Sequence, residues 1–133
     1  APLVLAATDP AQPYGAALPW PASAGRPSRS AGAHVVLADG RPLAHLERGG
    51  RSILLFPGAA GRVAPDTDGA DGKEGVGDAR WVDALASRVR AGGGRARLEV
   101  TRIDGRPVRE SPAVDLLVAA GFTDSYRGMV LRY

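Results

Sequence analysis

The sequence contains no cysteine, which excludes disulfide scaffolds, thiol catalysis and every cysteine-ligated zinc or iron–sulfur site. Lysine is nearly missing as well: Lys73 stands alone, and all other basic residues are arginine. No apolar run approaches the roughly 18 residues of a membrane span. The opening Ala1-Pro2-Leu3-Val4 lacks the charged start of a signal peptide, so the expectation is soluble, intracellular, cytoplasmic material. Methionine is also missing from the first position, and the sequence reads as a piece cut from a longer protein.

Within 133 residues, 44% hydrophobic and 23% charged, there is enough apolar material for one core and one domain spanning 1–133. The net charge is +3. Arginine binds phosphate bidentately and stacks on bases, which suits nucleic acid. A GC-rich genome also writes arginine, alanine and glycine everywhere, so composition alone leaves both readings open.

Along the chain, Leu3-Val4-Leu5-Ala6-Ala7 reads as a short buried strand ended by Asp9-Pro10, and 22–32 reads as a linker or flexible arm of small and basic residues. Asp39-Gly40 and Gly49-Gly50 supply the positive φ of primed hairpin turns and predict a three-stranded meander over His34–Phe56. If each pair is the turn, Val36 faces Leu43 and His34 faces His45, while Leu46 faces Ile53 and Leu43 faces Phe56. One face then collects Ala33, Val35, Leu37, Ala44, Leu46, Ile53 and Leu55, all apolar, and is the predicted core face. The other mixes Val36, Leu43, Leu54 and Phe56 with His34, His45, Glu47 and Ser52, and is expected to be half covered at most.

Residues 58–77 are too poor in large apolar side chains to offset their ordering entropy, which predicts a mobile loop. A helix follows, capped by Asp78, running to about Ala91 with Trp81, Val82, Leu85 and Val89 on one stripe. Leu98–Ile103 alternates like a strand and turns at Asp104-Gly105. Ser111 and Pro112 open a second helix that buries Val114, Leu117 and Val118 and stops at Gly121; a hairpin around Arg127-Gly128 closes the chain. The expected class is a β-rich α+β fold, an antiparallel meander or partly closed barrel with two short helices.

Read as strings, Leu5–Pro10, Pro13-Tyr14-Gly15, Leu18–Pro21, Ala38–Pro42, Leu46–Arg51, Val100–Val108, Ser111-Pro112, Gly121-Phe122, Arg127-Gly128 and Leu131-Arg132 resemble the extreme C-terminal segment of the large helicase-related (Lhr) family of bacterial superfamily-2 helicases. The resemblance covers nearly the whole chain except the loop at 58–77. It implies a parent that hydrolyses ATP with Mg²⁺, moves 3′ to 5′ on single-stranded DNA and serves in DNA repair. It also implies motor and winged-helix domains upstream, a β-barrel-like C-terminal module, and a likeness to winged-helix DNA glycosylases. No G-x-x-x-x-G-K-[ST] exists here, since Lys73 precedes Glu74 and Gly92-Gly93-Gly94 precedes Arg95, so ATP and Mg²⁺ are expected in the parent and no cofactor in this piece.

The candidate nucleic-acid contacts are Arg26 and Arg29 in the arm, Arg48 and Arg51 around Gly49-Gly50, and Arg102, Arg106 and Arg109 around Asp104-Gly105. The expected partner is single-stranded DNA or a DNA–RNA hybrid. Trp20, Tyr14, Trp81, Phe122 and Tyr126 are the rings available for stacking; Trp81 reads as core, and Tyr14 and Trp20 as pins or platforms. His34, His45 and Glu47 form a metal candidate on one face of the hairpin. For glycosylase chemistry, Asp9, Asp104, Glu110 and Asp124 qualify only as acids, and no catalytic residue is assigned. The alternatives are an assembly module or homo-oligomer built on the Val36/Leu43/Phe56 patch, or a contributor to a repair active site.

Overall fold

The computed structural model describes residues 2–23, 25–61, 77–91 and 97–132. Its strands are β1 (Leu3–Ala6), β2 (His34–Ala38), β3 (Arg41–Leu46), β4 (Ser52–Leu55), β5 (Arg97–Val100), β6 (Arg102–Ile103), β7 (Arg106–Pro107), β8 (Thr123–Asp124) and β9 (Met129–Arg132). Two helices accompany them, α1 (Arg80–Ala91) and α2 (Val114–Ala119). The strands form a six-stranded sheet, ordered β1-β2-β3-β4-β6-β7, and a three-stranded sheet, β5-β9-β8. The class is β-rich α+β as expected. No closed barrel joins the two sheets among the described residues; that part of the expectation is corrected.

Both expected hairpin turns of the Asp-Gly type form. Asp39 and Gly40 sit at φ 53° and 79°, Asp104 and Gly105 at 55° and 80°, the left-handed pair a primed turn demands. Register is where expectation fails. Ala38 faces Arg41 and Leu37 faces Pro42, but a bulge then shifts the ladder, so Val36 pairs with Ala44, Val35 with His45 and His34 with Leu46. Pro42 has no N–H to give the ladder, and the strand takes up its extra residue at Leu43 just beyond it.

A one-residue slip sends every side chain of β2 to the other face. Val36 and Ala38 therefore join Ala44, Leu46, Ile53 and Leu55 in the main core, where Trp81, Leu85 and Val89 of α1 meet them. Ala33, Val35 and Leu37, expected on that same face, instead form a second small core with Ala7, against Leu5, Tyr14 and Trp20. The sheet is thus apolar on both faces. The second ladder keeps its expected register, Leu46 with Ile53 and Ala44 with Leu55.

What covers the second face is the Pro-rich N-terminal segment, so this face is not half open as expected. Trp20 stacks parallel on Phe56 with ring centres 5.9 Å apart and sets its edge against His45 at 5.5 Å. Gln12 is fully buried; its amide donates to the Ala7 carbonyl at 2.9 Å and accepts the Tyr14 N–H. Val36, Leu43 and Phe56 are all completely buried, so the patch on which an assembly surface was expected lies inside the molecule.

Helix α1 matches its predicted stripe, with Trp81, Val82, Leu85 and Val89 buried. Asp78 accepts the Arg80 N–H at 3.0 Å at its start. Most of the expected mobile loop, 62–76, lies outside the described residues. At its near edge Ala59 and Ala60 are buried, and the Trp81 indole donates to the Ala60 carbonyl at 3.0 Å. The expected continuous strand Leu98–Ile103 breaks at Thr101: β5 joins the small sheet and β6 runs parallel to β4, Ser52 opposite Arg102 and Ile53 opposite Ile103. Helix α2 ends in a Schellman motif, Phe122 N–H to Leu117 O and Gly121 N–H to Val118 O, both 3.0 Å, with Gly121 at φ 108°. Leu117 is buried, Val114 half-buried, and Val118, expected inside, is 56% exposed.

Candidate nucleic-acid interface

The metal candidate does not assemble. The bulge places His34 opposite Leu46 and His45 opposite Val35, so the two rings project from opposite faces of the sheet. His45 is buried beside Trp20, its Nε2 2.9 Å from the Ser28 carbonyl. His34 lies 3.0 Å from an Arg88 guanidinium nitrogen, and burial, then the Arg88 charge, lowers its pKa. Among the described residues no three metal-ligating side chains come together.

The arginines divide into two groups. Arg29 is not in a free arm: its guanidinium donates to the carbonyls of Gln12, Tyr14 and Asp9 and straps the N-terminal segment together. Arg109 is equally engaged, donating to Asp124 at 3.3 Å and to the carbonyl of Ser125. Arg26, Arg48, Arg51, Arg102 and Arg106 are exposed and make no ion pair with a described carboxylate. Arg102 donates weakly to the Gly105 carbonyl at 3.3 Å.

The parallel β4–β6 pair sets Arg51, which follows the Gly49-Gly50 turn, against the residues that enter β6. The Arg51 carbonyl accepts the N–H groups of Thr101 and Arg102, at 2.8 and 3.1 Å, and the Thr101 hydroxyl. Asp104 locks the same junction: buried under its own turn, its carboxylate accepts the Leu55 N–H at 2.8 Å, while its N–H donates to Ile53 O at 2.8 Å. Backbone pairing therefore sets Arg51 beside Arg102, with Arg106 across the turn. Neither spacing nor periodicity encodes this proximity, because β4 and β6 are separated by some fifty residues and their pairing is only two residues long.

Other charges are internally balanced. Arg80 bridges Asp78 at 2.7 Å and Asp39 at 2.9 Å, tying the start of α1 to the first hairpin turn. Its hydrogen bonds to Asp78 hold that carboxyl down at about 2, and Arg80 also lowers Asp39. The Glu99 carboxyl is lowered chiefly by the Ser125 hydroxyl, then by Arg97 and Arg51. Of the acids considered for base excision, Asp104 is held by the Leu55 N–H, Asp9 accepts the Ala11 N–H at 2.8 Å and Asp124 pairs with Arg109.

The two-sided apolar sheet, strapped on one face and carrying exposed arginines along its β4–β6 edge, is similar to segments of known proteins that place it among helicase-associated domains. It is similar to Lhr helicases, and the matches are consistent with a C-terminal segment of such a helicase. It is 44% identical over 140 residues to the "Lhr helicase/probable uracil glycosylase" of Mycolicibacterium smegmatis, covering 98% of this chain and 8% of that protein. To the "Lhr helicase/uracil glycosylase" of Escherichia coli it is 34% identical over 130 residues, covering 96% of this chain and again 8% of the relative. The chain thus spans about a twelfth of the length of these relatives. No protein-family model matches it.

Proposed function

We propose that this chain is the non-motor C-terminal domain of an Lhr-type ATP-dependent 3′–5′ DNA helicase acting in DNA repair, and that it assists the grip on single-stranded DNA or a DNA–RNA hybrid. ATP and Mg²⁺ belong to the motor of the parent chain, whose winged-helix and motor domains are its neighbours in the cytoplasm at the nucleoid. The observation that supports the reading is the junction of Arg51 with Arg102, exposed arginines that make no ion pair with a described carboxylate and whose backbones are joined from distant parts of the sequence. Exposed guanidinium groups held on rigid turns suit phosphates, which they bind without any sequence preference.

The test is an anisotropy titration with a single-stranded oligonucleotide at several salt concentrations. Each arginine that meets a phosphate adds about 0.7 to the slope of log affinity against log salt, so replacing Arg48, Arg51 and Arg106 by Ala flattens it by about two. A triple variant with the parent's affinity and slope refutes the reading. Both relatives also carry uracil glycosylase in their names, which keeps a contribution to a repair site as the second reading. Uracil release from labelled DNA by the chain alone, abolished by replacing one of its acids, is the result that favours it.

A further inference from the structure

The turn joining β8 to β9 carries the most exposed aromatic side chain among the described residues: Tyr126 is 96% exposed, while Trp81, Phe56 and Phe122 are buried. Tyr14 and Trp20 are committed to each other, with ring centres 6.1 Å apart, and Trp20 to Phe56. A ring in open water adds nothing to the core, and a loose turn offers no reason to keep one. This turn is not loose. The Ser125 hydroxyl donates to Glu99 at 3.0 Å and accepts the Gly128 N–H at 3.2 Å, and the Ser125 N–H donates to Gly128 O at 2.8 Å. Arg109 grips the turn from outside, through Asp124 and the Ser125 carbonyl.

Gly128 seats the turn directly on the strand switch: a Cβ there would lie 2.1 Å from Val100 O and 3.0 Å from Thr101 Cα, so only glycine permits the approach. Thr101 is the residue that donates to Arg51, and Arg102 follows it. Tyr126 and its neighbour Arg127 are therefore displayed at the same end of the molecule as Arg51 and Arg102. Arg97 and Arg109 belong to this end too, each paired with a carboxylate, Glu99 and Asp124.

A solvent-facing ring on a hydrogen-bonded turn, next to Arg127 in sequence and on the element that packs against the Arg51–Arg102 junction, has the chemistry of a single-strand platform, since every base offers a π-face and every linkage a phosphate. We infer that Tyr126 is a base-stacking residue for single-stranded DNA, with Arg127, Arg51 and Arg102 contacting the phosphates on either side. This rests on the function proposed above and goes further by assigning the contact to bases.

The experiment compares Tyr126→Ala, Tyr126→Phe and Arg127→Ala on a labelled oligothymidine and on an abasic strand of the same length. Tyr126→Ala is expected to weaken oligothymidine binding roughly fivefold to a hundredfold, to leave abasic binding within about twofold, and to keep the parent's salt slope, because stacking releases no counterions. Tyr126→Phe retains binding, since the ring and not the hydroxyl does the stacking. Arg127→Ala lowers the slope by about 0.7 on both strands. Oligothymidine binding by Tyr126→Ala equal to the parent's, or equal losses on both strands, overturns the inference. If the parent binds neither strand, the proposed function fails with it. If the arginine triple variant flattens the slope while Tyr126→Ala is silent, only the stacking assignment falls.

Discussion

Two regions of this molecule use arginine and aromatic rings in opposite ways. In the strap over the second face of the large sheet, Trp20 is wedged between Phe56, His45 and Tyr14, and Arg29 gives its donors to three backbone carbonyls. At the turn end, Arg51, Arg102 and Tyr126 are exposed, and the hydrogen bonds that order the region are made around them by Asp104, Thr101, Ser125 and Arg109. The difference teaches that the same residue types are structural where their polar groups are satisfied within the fold, and available for a partner where the backbone beneath them is fixed by other residues.

The largest effect is expected at Trp20. Replacing it by Ala empties the space between Phe56, His45 and Tyr14, and urea unfolding should show a loss of about 3 kcal/mol. DNA binding by the folded variant should keep its salt slope; a changed slope means that the strap, too, meets phosphate. Next is Asp104→Ala, which leaves the Leu55 N–H without its acceptor and places Ala at φ 55°. A loss of about 2 kcal/mol is expected. Because this carboxylate holds β4 to β6, the salt slope should fall as well; destabilisation with an unaltered slope would separate the turn end from DNA.

The smallest effect is at Asp78. With its carboxyl held near 2 in the folded state against an ordinary 3.8, the pair with Arg80 contributes stability above pH 4, which is lost as pH falls from about 4 to 2. Solvent screening limits it to about 1 kcal/mol. Asp78→Asn should remove that part of the acid-induced decline while leaving DNA binding alone, as the balanced charges at this site require; a pH profile identical to the parent's would contradict the pairing.

Local chemistry was legible in the sequence where it was local. The Asp39-Gly40 and Asp104-Gly105 turns, the apolar stripe of α1 and the Gly121 stop each follow from a few neighbouring residues, and all form. The first register was not legible, because a bulge beside Pro42 costs one residue and no pattern announces it. With that slip went the His34–His45 pairing, and with it the metal candidate. The strap was missed for another reason: its pins are side-chain bonds to backbone across 15 to 20 residues, from Arg29 to Tyr14 and Asp9, and they follow no period. Of the seven candidate arginines, Arg29 and Arg109 turn out to be engaged within the fold, and Tyr126 stood unranked among five rings because exposure cannot be read from a turn.

The most direct measurement is cross-linking of the chain to an oligothymidine carrying 4-thiothymidine, with the attached peptides mapped by mass spectrometry. Attachment within 48–51, 102–109 and 125–128 is the result this account predicts. Attachment confined to 9–20 and to α1, with those three turns untouched, would contradict it.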